Sequence, residues 1–578
     1  MGFQSQFDCF SRFIPLQSPA MKKYLITSAL PYINGVKHLG NLIGSLLPAD
    51  VYARHLRQEG EEVLFICGTD EHGTPAEIAA EKSGESVEAY CQRLFEQQKA
   101  IYEGFELSFD YFGRSSAPEN HALTQAIFKA LDENGFIDER DIKQVYSKAD
   151  GRFLPDRYVE GTCPHCGYEK ARGDQCEACG RLLETTDLLN PYSAISGSHD
   201  LELRSTKHLF LKLDSLAPEV AAWVEQHPEW STVTKGIAHK WLQEGLHERC
   251  ISRDLKWGVK IPKAGFEDKV FYVWFDAPNA YISMTEEWAK AHQQPEAWKN
   301  WWCEPEQVNY TQFMAKDNVP FHAIFWPAMM LGTRQTWKLP DEIKSFNWLT
   351  YEGGKFSTSQ QRGVFTDVAL DLFPADYWRY YLLSIAPEGA DSDFNFAQFV
   401  AVINKDLADI LGNFVSRVMA LLKKYNQNQV PEHYAVEDNF DLYNKVKHGV
   451  NELDESLRAM KFRQAAQQLR ALWALGNEYI TQAEPWKLVK LELPKALGVL
   501  RNCLQLIRVY AIVGTAFMPA TSRRLMAALN EDADPALLSF TEALDFNSLM
   551  PGKHLAAELD YLFTKIDETT FEDLQQRF

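Results

Sequence analysis

The sequence predicts an α/β chain: a Rossmann-type nucleotide-binding domain, interrupted by a cysteine-rich insertion and followed by an all-α helix bundle. Three observations carry the prediction. A strand–turn–helix–strand pattern opens the chain between residues 23 and 70, two Cys-x-x-Cys pairs fall within residues 163–179, and helical hydrophobic periodicity dominates after residue 400. The 578 residues, 46% hydrophobic and 24% charged, are enough for three to five units, each burying its own core.

The first unit reads as βαβ. Residues 23–30 are an apolar run ended by Pro31, Val63–Cys67 is a second run ended by Gly68, and a helical pattern extends from about Leu39 to Gln58 between them. Ligands of such units gather at the carboxyl ends of the strands. "HLGN" (residues 38–41) therefore falls at a helix N-terminus, where free N–H groups and the helix dipole favour an anion. His38 can donate to a phosphate oxygen, and Gly40 has no Cβ to obstruct a flat base.

"CPHCGYEKARGDQCEACG" holds Cys163, Cys166, Cys176 and Cys179 in the spacing C-x₂-C-x₉-C-x₂-C, with a glycine after each pair. This predicts one closed tetrathiolate Zn²⁺ site of structural role, since four protein ligands leave no place for a reactive water. His165 inside the first pair is a bystander. The other six cysteines are scattered, which points to a reducing, cytoplasmic setting.

Beyond residue 400, "AQFVAVINKDLADILGNFVSRVMALLKKY" places Phe399, Val402, Leu407, Ile410, Leu411, Phe414, Val418 and Leu421 near helical spacing, as in a helix bundle. No apolar run approaches the ~20 residues that cross a bilayer, so no membrane role is expected. A formal charge of −20 argues against a surface that binds nucleic acid everywhere, and leaves room for a local basic track. The first twenty residues lack a signal-like arrangement and Gln6 breaks a myristoylation motif. They read as a disordered or non-native extension, with Met21 as the start.

"SALPYINGVKHLGN", "GTDEHGTP", "FYVWFDAPNAY", "AKDNVPFHAIFWPA" and "GGKFSTS" stand in the order and spacing that resemble methionyl-tRNA synthetase, a class I aminoacyl-tRNA synthetase. The likeness runs from Met21 nearly to the end. It implies a class I catalytic domain in two halves (21–137 and 267–345) around a zinc-binding connective domain (138–266) with one knuckle. A stem-contact region carrying the KFSTS loop (346–403), an anticodon-binding bundle (404–548) and a C-terminal helix (549–578) follow. The activity implied is ATP-dependent conversion of L-methionine to methionyl-adenylate, with Mg²⁺, then transfer to the 3′ end of initiator and elongator methionine tRNA. A weakened paralogue and a zinc-knuckle RNA-binding regulator are the alternatives; the joint presence of the ATP motifs counts against the second.

Residue by residue, the resemblance implies that His38, Gly40 and Asn41 face the α-phosphate side of ATP, Asp317 receives the ribose, and Lys316 assists the phosphates. Lys355 would meet the leaving pyrophosphate. Leu30, Tyr32, Trp274, Ala277, Pro278, Tyr281 and His322 would form the methionine pocket, with "YVWF" ending an apolar strand; aromatic rings suit the thioether. Asp70, with Thr69 beside it, would take the ammonium. Asn413, Arg417 and Trp486 would read and stack the CAU anticodon bases. The chain lacks the appended domain that dimerises some relatives, so a monomer is expected. One departure stands out: relatives carry a second loop lysine where this sequence has Thr358, and Arg362 is the candidate to cover part of the lost phosphate contact.

Overall fold

Five runs pair into one parallel sheet: β1 (Lys23–Ser28), β2 (Glu62–Thr69), β3 (Tyr111–Arg114), β4 (Val308–Ala315) and β5 (Glu342–Phe346), ordered β5-β4-β1-β2-β3. The computed structural model describes residues 22–173, 176, 178–179, 181, 183–358, 360–432, 440–556 and 561–578. The extension expected over residues 1–20, the expected start Met21, and Asp174, Gln175, Glu177, Gly180 and Ser359 of the quoted motifs lie outside them. β2 continues past the expected stop at Gly68, because Gly68 and Thr69 pair in register with Gly113 and Arg114 of β3.

Alternation along β1 sends Leu25 and Ile26 into two different cores, so both faces of the sheet are covered, as a parallel sheet requires. The order reverses between β1 and β4, and that crevice is where doubly wound sheets bind ligands. Residues 39–58 wind as one helix in three pieces, Leu39–Asn41, a π stretch Leu42–Leu46 and Leu47–Gln58.

The insertion is built on a long hairpin whose strands, Ile137–Ser147 and Leu201–Leu211, pair antiparallel throughout. Three short strands, Val159–Thr162, Ala171–Arg172 and Leu189–Ser193, hold the cysteines at its far end. Glu77 fastens this unit to the sheet domain by accepting from the Tyr158 hydroxyl at 2.7 Å and the Trp257 backbone N–H at 2.9 Å.

"YVWF" does not end a strand. Only Val270–Phe271 pair, with Ser252–Arg253, and the chain then turns helical over Val273–Asp276 and Ala277–Asn279 before the helix Ala280–Ala291. Side-chain capture explains the turn: the Asn279 amide donates to Phe275 O at 2.9 Å, Asp276 holds His72, and Pro278 is tolerated in a first helical turn.

After β5, a small sheet of Leu349–Tyr351, Gly354–Lys355 and Ser392–Phe394 carries the loop. The helices Phe396–Val402, Ile403–Gly412 and Asn413–Tyr425 run on from one another, burying Phe399, Leu407, Leu411, Phe414 and Val418 as the periodicity requires. Phe440–Arg458, Phe462–Ala483 and Leu493–Val513 complete the bundle. Leu493–Val513 is the one described helix long and apolar enough to cross a membrane, and its apolar window is wholly buried inside the bundle. Within 549–578 the described residues form one helix, Glu568–Arg577, packed back on Phe396–Val402. Bundle and sheet domain share a core, clamped by the fully buried Arg379: it donates to Asp50 Oδ2 at 2.7 Å, Phe105 O at 3.0 Å and Ala516 O at 2.7 Å.

Candidate active site

A cleft of about 320 Å³ opens at the crevice between β1 and β4. Leu30 and Tyr32 enter it from the carboxyl end of β1, His38, Gly40 and Asn41 from the helix start, Asp317 from the turn after β4, and Lys355 and Thr358 from the loop. Gly40 is needed for closeness: a Cβ there would sit 3.0 Å from His38 Nδ1 and 3.5 Å from the Phe356 ring. The loop therefore docks on the helix start, with Phe356 stacked on His38 at 4.8 Å and Leu39 N–H donating to Val364 O at 3.0 Å. Asn41 Oδ1 accepts from the His38 backbone N–H at 3.3 Å, closing the first turn.

Burial, then the neighbouring Lys37, push the His38 pKa down to about 3, so its imidazole is neutral near pH 7. Its Nδ1 is buried with no hydrogen-bond partner. Lys316 donates to Asp391 at 2.8 Å and lies over the Trp348 ring at 4.3 Å, while Lys355 lies over the same ring at 4.7 Å and is exposed.

Behind Tyr32 is an aromatic nest. Tyr32 meets Trp274 edge-on at 6.1 Å, Trp274 stacks flat on Phe321 at 3.7 Å, and His322 lies 6.2 Å from Trp274. His322 Nδ1 lies 2.9 Å from Asn318 O, which only accepts, so the proton is on Nδ1 and Nε2 accepts from the Tyr281 hydroxyl at 3.1 Å. Burial lowers the His322 pKa to about 4. Ala277 and Pro278 are buried on the turn that leads into the helix of Tyr281.

Asp70, like Trp274, Ala277, Pro278, Tyr281 and His322, does not itself line the cleft; it lies behind it, its backbone N–H donating to Pro31 O at 3.0 Å and its carbonyl accepting from Ile33 N–H at 2.9 Å. It is buried, its Oδ1 has no hydrogen-bond partner, and burial, then Asp276 and Glu71, raise its pKa well above the ordinary carboxylate range. A buried acid in that condition is a seat for a cation. Beside it, the Thr69 hydroxyl donates to Glu71 at 2.7 Å, which leaves its oxygen able to accept.

Arg362 is placed differently from the expectation. Its Nη2 donates to Tyr351 O at 2.8 Å and Glu352 O at 3.4 Å, and it does not line the cleft. Gly354 makes room for it, since a Cβ there would meet Nη2 at 2.6 Å. A guanidinium matched to two carbonyls is a strut of the loop hairpin, which the spacing alone did not reveal.

The four cysteines converge, their Sγ atoms all within 4.8 Å of one another, with Cys163–Cys179 at 4.0 Å and Cys166–Cys176 at 3.6 Å. Zn–S bonds of about 2.3 Å in a tetrahedron put sulfurs about 3.8 Å apart, so this donor set fits Zn²⁺. His165 turns to Arg181 at 3.1 Å and stays outside the cluster. In the bundle, Arg417 lies over the Trp486 ring at 5.1 Å, and Asn413 is exposed at the start of Arg417's helix.

The family model described as tRNA synthetases class I (M) matches residues 24–419, and that described as the anticodon binding domain of methionyl tRNA ligase matches residues 430–578. This chain belongs to the class I tRNA synthetases (M). Among relatives of the synthetase, methionine–tRNA ligase of Streptomyces avermitilis is 52% identical over 570 residues, 96% of this chain and 99% of that protein. Methionine–tRNA ligase 1 of Acaryochloris marina is 54% identical over 557 residues, again 96% and 99%. A solved Mycobacterium tuberculosis methionyl-tRNA synthetase in complex with methionyl-adenylate shares the fold, with a TM-score of 0.74 at 24% identity over 94% of this chain and 100% of that one.

Several lining residues of the synthetase's cleft escaped the sequence reading: Asn34, Lys37, Asn318, Trp348 and Phe356. Lys37 carried a signal, a lysine directly before "HLGN". Nothing in local sequence marks Trp348, which reaches the cleft from the link between β5 and the strand Leu349–Tyr351.

Proposed function

We propose that this synthetase activates L-methionine with ATP to methionyl-adenylate and transfers the methionyl group to the 3′ end of methionine tRNA, initiator and elongator alike. One observation supports the reading: an anion-favouring helix start lines the crevice at the sheet's switch point together with Tyr32, and behind Tyr32 stand an apolar aromatic nest and the buried acid Asp70, whose backbone pairs with Pro31 and Ile33. An amino acid with an unbranched apolar side chain spans the nest and the acid, and its carboxylate then points to the helix start.

In this reading Asp70 holds the ammonium, while Leu30, Tyr32, Trp274, Ala277, Pro278, Tyr281 and His322 surround the thioether. His38 and Asn41 donate to the α-phosphate, Gly40 leaves room for the adenine, and Asp317 takes the ribose hydroxyls. The carboxylate attacks the α-phosphorus in line, and Lys355 stabilises the charge that builds on departing pyrophosphate. Mg²⁺ arrives with ATP and neutralises its phosphates. Lys316, already paired with Asp391, orders the cleft rim through Trp348. Zn²⁺ on the four cysteines is structural, and Asn413, Arg417 and Trp486 meet the CAU anticodon. The chain acts as a monomer in the cytoplasm; the nine described cysteines are all unpaired, which suits a reducing compartment.

The test is methionine-dependent pyrophosphate–ATP exchange, followed by charging of tRNA with a CAU anticodon. Exchange and charging with methionine, and neither with leucine, are expected. Absence of methionine-dependent exchange overturns the reading, and exchange without charging leaves a paralogue that only activates.

A further inference from the structure

Lys37 is the one buried ammonium of the cleft, with 4% of its surface exposed. Its Nζ donates to the neutral Asn34 Oδ1 at 2.6 Å. Among the described residues no carboxylate lies within ion-pair distance of it. Asp70 acts on it only through space, and Asn34 and His38, the other neighbours named here, carry no charge. An ammonium has three donors, and leaving two without protein acceptors in a buried position costs stability unless a ligand supplies them. Burial accordingly draws its pKa down to about 7.

The surroundings say which ligand. Asn34, Lys37 and Thr358 all line the same cleft, and the Thr358 methyl packs over Gly35, where a Cβ would lie 3.3 Å from it. The ammonium therefore sits on the wall that the fourth position of the loop covers. That position holds a threonine, able to give one neutral hydrogen bond, and the next cation along the loop, Arg362, is held by Tyr351 O and Glu352 O through its Nη2 and does not line the cleft. Lys316 is neutralised by Asp391.

We propose that Lys37 is a catalytic cation of the nucleotide site: its buried ammonium faces the triphosphate of ATP from the β1 side and supplies the second positive charge that Thr358 does not. The inference rests on the synthetase reading of the cleft. When ATP enters, the two free donors meet phosphate oxygens. The cost of the buried charge in the free protein is then relieved, most fully where charge accumulates on the departing pyrophosphate.

Lys37→Met keeps length and volume while deleting the charge. Parental methionine-dependent exchange is measured first, and its absence would count against the synthetase reading and not against Lys37. With the parent active, Lys37→Met is expected to lower kcat/KM for ATP on the order of 10²-fold, the scale of one lost transition-state donor. Its KM for methionine should stay within about twofold of the parent's, and its Tm should be unchanged or higher because an unpaired buried charge has gone. The double variant Lys37→Met/Thr358→Lys should regain about tenfold or more, since the new ammonium enters the same wall. Lys37→Met exchanging within about threefold of the parent overturns the proposal. So does a loss that comes with a lower Tm, a raised KM for methionine and no rescue by Thr358→Lys, the pattern of a residue that merely balances Asp70.

Discussion

The guanidinium carbon of Arg417 lies 5.1 Å from the centre of the Trp486 ring, joining the helix Asn413–Tyr425 to the short helix Pro485–Leu488. Both side chains are half-buried, and Glu484, in the left-handed region at φ 45°, turns the chain so that the ring faces back. A flat aromatic backed by a cation is a platform for an unpaired base. Trp486→Ala should raise the KM for tRNA by roughly 5- to 150-fold, the equivalent of one stack worth about 1–3 kcal/mol. Exchange should stay within about twofold, because the platform lies in the bundle and away from the cleft. Equal losses in exchange and charging would make Trp486 a packing residue.

The loop divides labour between its two basic residues. Lys355 is exposed over Trp348 and free to follow a leaving group, so Lys355→Ala should slow adenylate formation on the order of 10²–10³-fold with stability unchanged. Arg362→Ala removes two donors to the hairpin backbone, so its smaller, several-fold loss should come from a loosened loop. Thr358→Lys should therefore fail to restore Arg362→Ala in single-turnover pyrophosphate release. Full rescue would place Arg362 on phosphate after all.

Much of this was legible in the sequence because it is local or periodic. The Rossmann start followed from an apolar run, a helix start and a second run, and the knuckle from cysteine spacing that one turn per pair converts into convergent sulfurs. The bundle followed from period 3.6 at Phe399, Leu407, Leu411 and Phe414. What stayed hidden depends on partners distant in sequence. Trp274 reads as strand because its aromatic and β-branched neighbours suit one, yet capture of His72 by Asp276 and of Phe275 O by Asn279 turns the segment helical. The partner of the Thr69 hydroxyl, Glu71, is likewise not evident from the motif. Arg362 reads as a phosphate residue until Gly354 is seen to admit it to the hairpin backbone. The burial of Lys37 is invisible in any window of sequence.

Cys176 is buried in the knuckle and its backbone N–H donates to Arg181 O at 2.9 Å, so it holds both the sulfur cluster and a turn. Cys176→Ala should release Zn²⁺ and lower the melting temperature, because ligand binding and folding of a closed site are one free energy. Chelation of the parent should reproduce the loss, whereas chelation of the variant should do nothing more. Zinc content by elemental analysis beside a thermal melt checks this, and full occupancy in the variant would remove the cluster's assignment.

Asp70 makes the sharpest prediction about the amino-acid seat. Its folded-state pKa is raised, by burial first and then by Asp276 and Glu71, above an unfolded value near 4. The folded chain therefore holds the proton that the unfolded chain releases, and stability falls as pH rises from about 4 through the folded-state pKa. A bound ammonium supplies the missing countercharge and recovers that loss. Asp70→Asn lacks the ionisation altogether. At pH 8 the variant should melt higher than the parent without ligand, and it should gain little when methionine is added, whereas the parent should gain clearly. At pH 5 the difference between the two ligand-free proteins should shrink, because Asp70 is then closer to its protonated form. Methionine-dependent exchange in the variant should fall through a KM for methionine raised about tenfold or more, the scale of a buried charge-assisted bond. Melting curves at the two pH values, with and without methionine, decide it. A methionine-induced gain in Asp70→Asn equal to the parent's would move the ammonium to another group, with Asp276, the carboxylate that acts most strongly on Asp70, the next candidate.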